Sequence, residues 1–419
     1  MRFRLGVLAA IAVGAAIRIA YLFGDGGASA GGDGFFYSLD ALRVADGLGY
    51  TSSAWGDVGN QIAHHPPAWV TLLALVSMAG GRTIRAHQLV GVGIGLGVIA
   101  LAGAIGRRYV GKRAGVTAAF IAALYPGFWV LDAAVLSEPL GLLVFGAFAL
   151  IVADLLDKPT LTRSFCIGAT IGFLALVRSE QSALLAMVVA PVLFGIQSLT
   201  PRLRILRMIA VAIAFAAVVS PWAIYNSTRF ARPVLLSTNF GGSLLAGNCP
   251  QYTYSGEYLG YFREECGLDI DKNLDRSERS AIYLGRALRN IGGHLDRLPV
   301  VVAARLGRTF GVFRPTQTVD LTANWMGTGV YPIWAWVVSY WLLIPFAVAG
   351  TVSLYRSDGF LLPLVGPLVL AFLVTVVFFG EPRMHTPSDL AVVVLAAAGL
   401  DRMVGRQRVH DRTRSSSVD

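Results

Sequence analysis

The sequence predicts an all-α, polytopic membrane protein of about ten transmembrane helices. Three observations predict it. Of the 419 residues, 55% are hydrophobic and 14% charged, against roughly a quarter charged in an average soluble domain. The mean hydropathy is +0.61. Several stretches approach the ~20 mostly apolar residues that cross a bilayer, and basic residues fall in alternate gaps between them, as the positive-inside bias of short loops requires.

The expected spans lie near 5–23, 86–105, 114–131, 138–156, 162–178, 182–198, 208–225, 331–353, 359–379 and 388–403. Both chain ends then face the cytoplasm. So do Arg2 and Arg4, the Arg107, Arg108, Lys112 and Arg113 group, and Arg202, Arg204 and Arg207. The net charge of +10 is therefore assigned to membrane orientation, with no nucleic-acid partner. The stretch from Leu5 to Phe23 has no convincing small-residue cleavage site and further spans follow it, so it reads as a retained helix rather than a signal peptide. The expected location is the plasma (inner) membrane, multi-pass.

Four regions follow from this layout. Residues 1–225 form an N-terminal membrane module that includes an outer loop at about 24–85. Residues 226–330 form a large extracytoplasmic loop, 331–405 the C-terminal membrane helices, and 406–419 a polar, disordered cytoplasmic tail. Within the first loop, Phe35, Phe36, Leu39, Leu42 and Val44 to Leu48 recur with rough helical spacing around Asp40, Arg43 and Asp46. That pattern predicts an amphipathic helix in the membrane interface. Residues 67–79 are apolar but too short to span, and predict a second interfacial helix. In the second loop, Tyr252, Tyr254, Tyr258 and Tyr261 precede a charged helical stretch at roughly 276–310.

Three cysteines are too few for a disulfide scaffold. Cys166 lies in a span. Cys249 and Cys266 share the second loop, where the residues alone leave pairing open; a bond there contributes about 3 kcal/mol in the chain-entropy model. The run Gly91-x-Gly93-x-Gly95-x-Gly97 lies inside a span. A dinucleotide fingerprint needs a βαβ setting, so close helix packing by small residues is the better account.

Polar residues that can carry chemistry cluster in outward gaps. Asp33 sits in Gly31-Gly32-Asp33-Gly34, where a carboxylate serves equally as a turn residue or as a general base within reach of a hydroxyl. His64 and His65 precede Pro66-Pro67; imidazolium pairs with phosphate and neutral imidazole binds metal. Glu138 follows Ser137 at the outer end of a span, where acids are costly and are paired or functional. Arg178 and Glu180 read as a structural pair. Arg383, in Pro382-Arg383-Met384-His385-Thr386-Pro387, has the planar fork suited to a phosphate. A lipid phosphate reacting at the outer leaflet needs such a set.

Taken in order, these motifs resemble the polyprenyl-phosphate-sugar-dependent glycosyltransferases of the GT-C superfamily, in particular bacterial relatives of protein mannosyltransferases (glycosyltransferase family 39). The family's Asp-Glu-x-x-Tyr element is matched by Asp33-Gly34-Phe35-Phe36-Tyr37, with Gly34 replacing the second acid. His65 stands where relatives carry a basic residue before a double proline. Glu138-Pro139, the stretch from Ser220-Pro221-Trp222 to Gly247-Asn248, and Pro382-Arg383 with Pro387 match later motifs. The resemblance implies a GT-C fold with interfacial helices around an outward-facing cavity. It implies inverting transfer of one sugar from a polyprenyl phosphate to a hydroxyl, with Asp33 as base and Tyr37, His64, His65, Glu138 and Arg383 around the substrate. The acceptor is a glycan, lipid or protein, and membrane lipids are the remaining partner. No cofactor is required; Asp33 and the two histidines are where a divalent metal would sit. Two other readings share these spans: a transporter or flippase of lipid-linked sugars, expected to show inverted repeats that the sequence lacks, and an assembly factor in which Asp33→Asn is silent.

Overall fold

The computed structural model describes residues 2–24, 30–51, 61–271, 273–356 and 361–415. Among these residues there is no strand, only a bridge between Thr51 and Gln61. The described residues of the expected spans fall largely on helical segments; residues 359 and 360 lie outside the described residues. Among the described residues five helices are long and apolar enough to cross a membrane: Arg2–Phe23, Ile84–Tyr109, Glu138–Asp157, Pro201–Ser227 and Val330–Arg356. Lys112–Leu124 and Pro126–Ala133 together make a sixth, bent by 49°. Its bend has a sequence cause, since Pro126 cannot donate to the preceding turn.

Two expected spans depart from regular helix. The segment expected at 182–198 is a 3-10 turn, Ser179–Ala183, then a π turn, Leu185–Val189, then a short α-helix, Ala190–Gly195. Pro191 removes a backbone donor from the short α-helix, and in the 3-10 turn the Ser182 hydroxyl donates to the Ser179 carbonyl. Leu362–Val377 is a shorter apolar helix of 16 residues. The final helix, Thr386–Ser415, continues past 403. Residues 406–415, expected to be a disordered tail, are continuous with that helix; 416–419 lie outside the described residues.

The glycine run packs helices, as expected. A Cβ on Gly91 would lie 2.1 Å from the Asp132 carbonyl oxygen, and one on Gly95 2.0 Å from the Asp132 carboxylate. That approach positions Asp132 for Arg18, whose Nε donates to it at 2.6 Å with both side chains buried. A charge pair of this kind fixes helix Arg2–Phe23 against Pro126–Ala133.

The first loop holds a helix at each of the two expected places, Gly32–Ala45 and Pro67–Met78; residues 25–29 and 52–60 of that loop lie outside the described residues. The second starts on Pro67, with Pro66 as its N-cap, as suits a fixed φ at a first helical turn. In the long loop the expected 276–310 stretch is two helices, Arg276–Gly292 and Leu298–Thr309. Asp275 and Glu278 close a capping box at the start of the first. A further helix, Pro315–Met326, was not expected. Cys249 and Cys266 are disulfide-bonded, with their Cα atoms 5.8 Å apart.

Helix Glu138–Asp157 carries Glu138 at one end and Asp157 at the other, about 30 Å away at 1.5 Å per residue. At the Asp157 end Arg108 pairs with that acid, Arg207 donates to the Pro159 carbonyl, and Arg113 pairs with Asp401 on the last helix. The other end holds the candidate site.

Candidate active site

Asp33 is the second residue of helix Gly32–Ala45, and its glycine neighbours exist for contact. The Gly31 amide donates to the Met326 carbonyl at 3.2 Å, and a Cβ there would lie 2.5 Å from backbone atoms of Trp325 to Gly327. Gly32 has φ +47, and its missing Cβ would lie 2.4 Å from the Trp325 ring. A Cβ on Gly34 would lie 2.0 Å from the Ala134 carbonyl oxygen. No second carboxylate fits there, which is the physical reason for the departure from Asp-Glu.

Arg383 reaches Asp33 from 350 residues away, its Nη1 donating to Oδ2 at 2.9 Å. It comes from the 3-10 turn Pro382–His385. Its Nε donates to Glu381 at 3.2 Å, and its guanidinium lies 3.9 Å over the Trp325 ring, a cation–π contact. On the opposite side of Asp33, His65 Nε2 lies 3.5 Å from Oδ1. Burial raises the pKa of Asp33, but His65 and the Arg383 guanidinium beside it outweigh that effect and hold the carboxyl well below its usual range. Asp33 is therefore a carboxylate. For Arg383 burial works against the charge, and Glu381, Asp33 and Glu138 more than restore it.

His64 and His65 pack edge to face, 4.5 Å apart, and the Tyr37 ring lies 4.5 Å from His65. Burial, with His65 and Arg276 nearby, pushes the His64 pKa down to about 3. His64 is thus a neutral imidazole at physiological pH and not a cation for phosphate. Tyr37 donates to Ser137 at 3.3 Å. Glu138, fully buried, accepts from Arg178 at 2.6 Å and lies 3.9 Å from Arg383. Arg178 also holds Glu180 at 2.5 Å. Asp33, Arg383, Glu138, Arg178 and Glu180 thus form one line of alternating charge. The pair read as structural, Arg178 and Glu180, belongs to this line and faces the cavity.

Asp33, His64 and His65 also offer three ligand atoms within 4.8 Å of one another, a donor set of the kind that holds a catalytic divalent ion. The guanidinium already on Asp33 opposes a second cation at the same carboxylate.

The cavity beside this line has a volume of about 720 Å³. One wall carries Asp33, Tyr37, His65, Arg178 and Arg383; the other is apolar, with Met187, Leu370, Leu373, Val374 and Val377. Its irregular 3-10 and π wall at 179–189 is typical of π turns at functional sites. A second cavity of about 250 Å³ shares Asp33, His64, Asn239, Ser243, Phe379 and Arg383 with the first. Asp33 and Arg383 therefore stand where the two cavities meet.

The structure brings together all six residues singled out in the sequence: Asp33, Tyr37, His64, His65, Glu138 and Arg383. Sequence reasoning missed Trp325, Glu381 and the role of Arg178. Arg178 carried a signal, an arginine two residues from a glutamate at a span end. Trp325 carried none beyond being an aromatic residue in a polar loop.

The arrangement of helices is similar to that of solved oligosaccharyltransferases. The chain is similar to the oligosaccharyltransferase of Archaeoglobus fulgidus in its apo form, with a TM-score of 0.58 and 13% identity over 99% of this chain and 52% of that one. It is similar also to the same organism's oligosaccharyltransferase AglB in complex with an inhibitory peptide and a dolichol-phosphate, with a TM-score of 0.54 and 15% identity over 98% of this chain and 52% of that one. The chain spans about half the length of these structures. A lower TM-score, 0.44 at 15% identity, relates 94% of it to 78% of ArnT from Cupriavidus metallidurans bound to undecaprenyl phosphate. No protein family's sequence profile matches the chain, and no curated protein sequence does.

Proposed function

We propose that this protein transfers a sugar, with inversion, from a polyprenyl-phosphate donor to an acceptor hydroxyl at the extracytoplasmic face of the plasma membrane. The observation that carries the reading is the Asp33–Arg383 pair at the meeting point of two cavities, one of them with an apolar arm. That arm suits a polyprenyl chain, and Arg383 and Arg178 lie where its phosphate would end. The dolichol-phosphate of the AglB structure supports a donor of this class. The side is argued from the arginines at the Asp157 end of the bundle, which the positive-inside bias assigns to the cytoplasm.

In the reaction the acceptor oxygen attacks the anomeric carbon while the bond from that carbon to the phosphate oxygen breaks. The acceptor proton passes to Asp33 and the electron pair leaves with the lipid phosphate. In the resting site Arg383 weakens Asp33 as a base by holding its pKa low. A donor phosphate shares that guanidinium, so donor binding raises the basicity of Asp33 as the acceptor arrives. As charge grows on the leaving phosphate, Arg383 and Arg178 stabilise it. His65, against Asp33, limits water there. Arg383 supplies the positive charge, so the scheme requires no metal.

The test is transfer by purified protein in lipid nanodiscs, with a panel of radiolabelled polyprenyl-phosphate sugars and envelope extract as acceptor. The expected result is polyprenyl phosphate released in step with sugar transferred. Movement of intact lipid-linked sugar across the bilayer without cleavage would assign the chain to transport instead.

A further inference from the structure

We propose that the acceptor is a carbohydrate chain, bound ring by ring in the second cavity and the cleft that continues it. The proposal rests on the transferase reading above and names the class of its second substrate. The second cavity leads from Asp33 away from the apolar arm, toward helix Arg276–Gly292 and the end of helix Pro315–Met326. At about 250 Å³ it falls below the ~300–1,000 Å³ that encloses a drug-sized ligand, so it takes one small unit. It then opens through shared walls, Phe262, Glu264, Leu268 and Trp325, into a cleft of about 400 Å³. A small chamber followed by a more open cleft fits a terminal sugar ring at Asp33 with further rings trailing outward.

The lining has the two chemistries a sugar ring needs. A ring presents one apolar face of C–H groups and a rim of hydroxyls that each donate and accept. Phe262, Tyr283 and Trp325 supply aromatic surface for the face. Asn239, Ser243 and Glu264 supply donors and acceptors for the rim. Burial raises the pKa of Glu264, with Asp33 and Glu265 adding to the effect, so its carboxyl is closer to a form that both donates and accepts. Other acceptors fit less well. Strand addition, one way of holding an extended peptide, finds no edge among the described residues, which contain no strand. A lipid acceptor needs a second apolar arm, and the aliphatic wall of Leu370, Leu373, Val374 and Val377 belongs to the first cavity alone.

The test uses the full chain carrying Asp33→Asn in nanodiscs, so that turnover is blocked, and saturation-transfer NMR. The probes are a panel of neutral di- and trisaccharide methyl glycosides, an acetylated threonine-containing peptide amide, and polyprenyl phosphate. The expected result is saturation of the ring protons of at least one glycoside. Glu264→Ala and Tyr283→Ala, on separate walls, are each expected to weaken that binding at least tenfold while polyprenyl-phosphate binding stays unchanged. No glycoside binding, glycoside binding indifferent to both substitutions, or peptide binding that both substitutions abolish would each overturn the proposal. Glycoside binding that needs Glu264 and Tyr283, in a protein that binds no polyprenyl phosphate, would uphold this site and count against the lipid-donor reading alone.

Discussion

Gly34→Ala adds one carbon at the residue next to Asp33. The new Cβ would lie 2.0 Å from the Ala134 carbonyl oxygen. An ordinary C···O approach is about 3.3–3.6 Å, so the two backbones must part by roughly 1.3 Å. The Ala134 side gives little. Val135 there has φ +58, a conformation held by its surroundings, and the Trp69 indole donates to the Val135 carbonyl at 2.9 Å. The movement therefore falls on helix Gly32–Ala45, which carries Asp33 one residue away. Overpacking of this size costs about 1–3 kcal/mol of stability, and a displacement of ~1 Å at a reacting group costs on the order of 100-fold in rate. Thermal unfolding in detergent should show a modestly lowered midpoint, and the transfer assay a turnover near one hundredth of wild type with donor KM changed far less. A stable Gly34→Ala protein with wild-type turnover would refute the claim that Gly34 sets the position of Asp33.

Arg383→Lys keeps the charge but replaces a fork that reaches both Asp33 and Glu381 with a point donor; turnover should fall about 100- to 1,000-fold, and a lysine variant within threefold of wild type would show that charge alone suffices. His64 has a folded pKa of about 3 against 6.5 unfolded, so its contribution to stability is complete above pH 6.5 and is lost as pH falls from 6.5 toward 3. At pH 5 that difference of about 1.5 units is worth ~2 kcal/mol, and His64→Gln should flatten the acid side of a stability–pH curve; an unchanged curve would contradict a buried neutral imidazole. Incubation with a chelator followed by desalting should leave transfer unchanged, because Arg383 supplies the positive charge at Asp33; a loss restored by a divalent ion would place a metal on Asp33, His64 and His65.

The membrane helices were legible because their signal is local. Hydropathy marks each apolar run, and the arginines at 107, 108, 113 and 207 mark one end of the bundle. Glu138 and Arg383 were legible because each sits close to the end of an apolar run, where a charge is conspicuous, and Asp33 because it is a lone acid among glycines in a short gap between apolar stretches. What the sequence did not show is pairwise and distant. Arg383 meets Asp33 across 350 residues, and Arg178 meets Glu138 across 40. Neither contact leaves a local pattern. Trp325 acts by filling the space beside Gly32 and beneath Arg383, and such packing is visible only in three dimensions. The irregular segment at 179–195 was read as a helix because hydropathy does not register the lost donor of Pro191 or the hydroxyl bond of Ser182. Gly34 was visible as a departure from the family pattern, but its cause, the Ala134 carbonyl, lies 100 residues away.

The central claim is that Asp33 accepts the proton of the attacking hydroxyl, and single-turnover transfer by the Asp33→Asn protein tests it most directly. The asparagine is nearly isosteric, so the protein should unfold at a similar temperature and bind polyprenyl phosphate as wild type does. Its transfer rate should fall by about 100- to 10,000-fold, the usual contribution of a positioned base. Transfer at the wild-type rate by a folded, donor-bound Asp33→Asn protein would contradict the account.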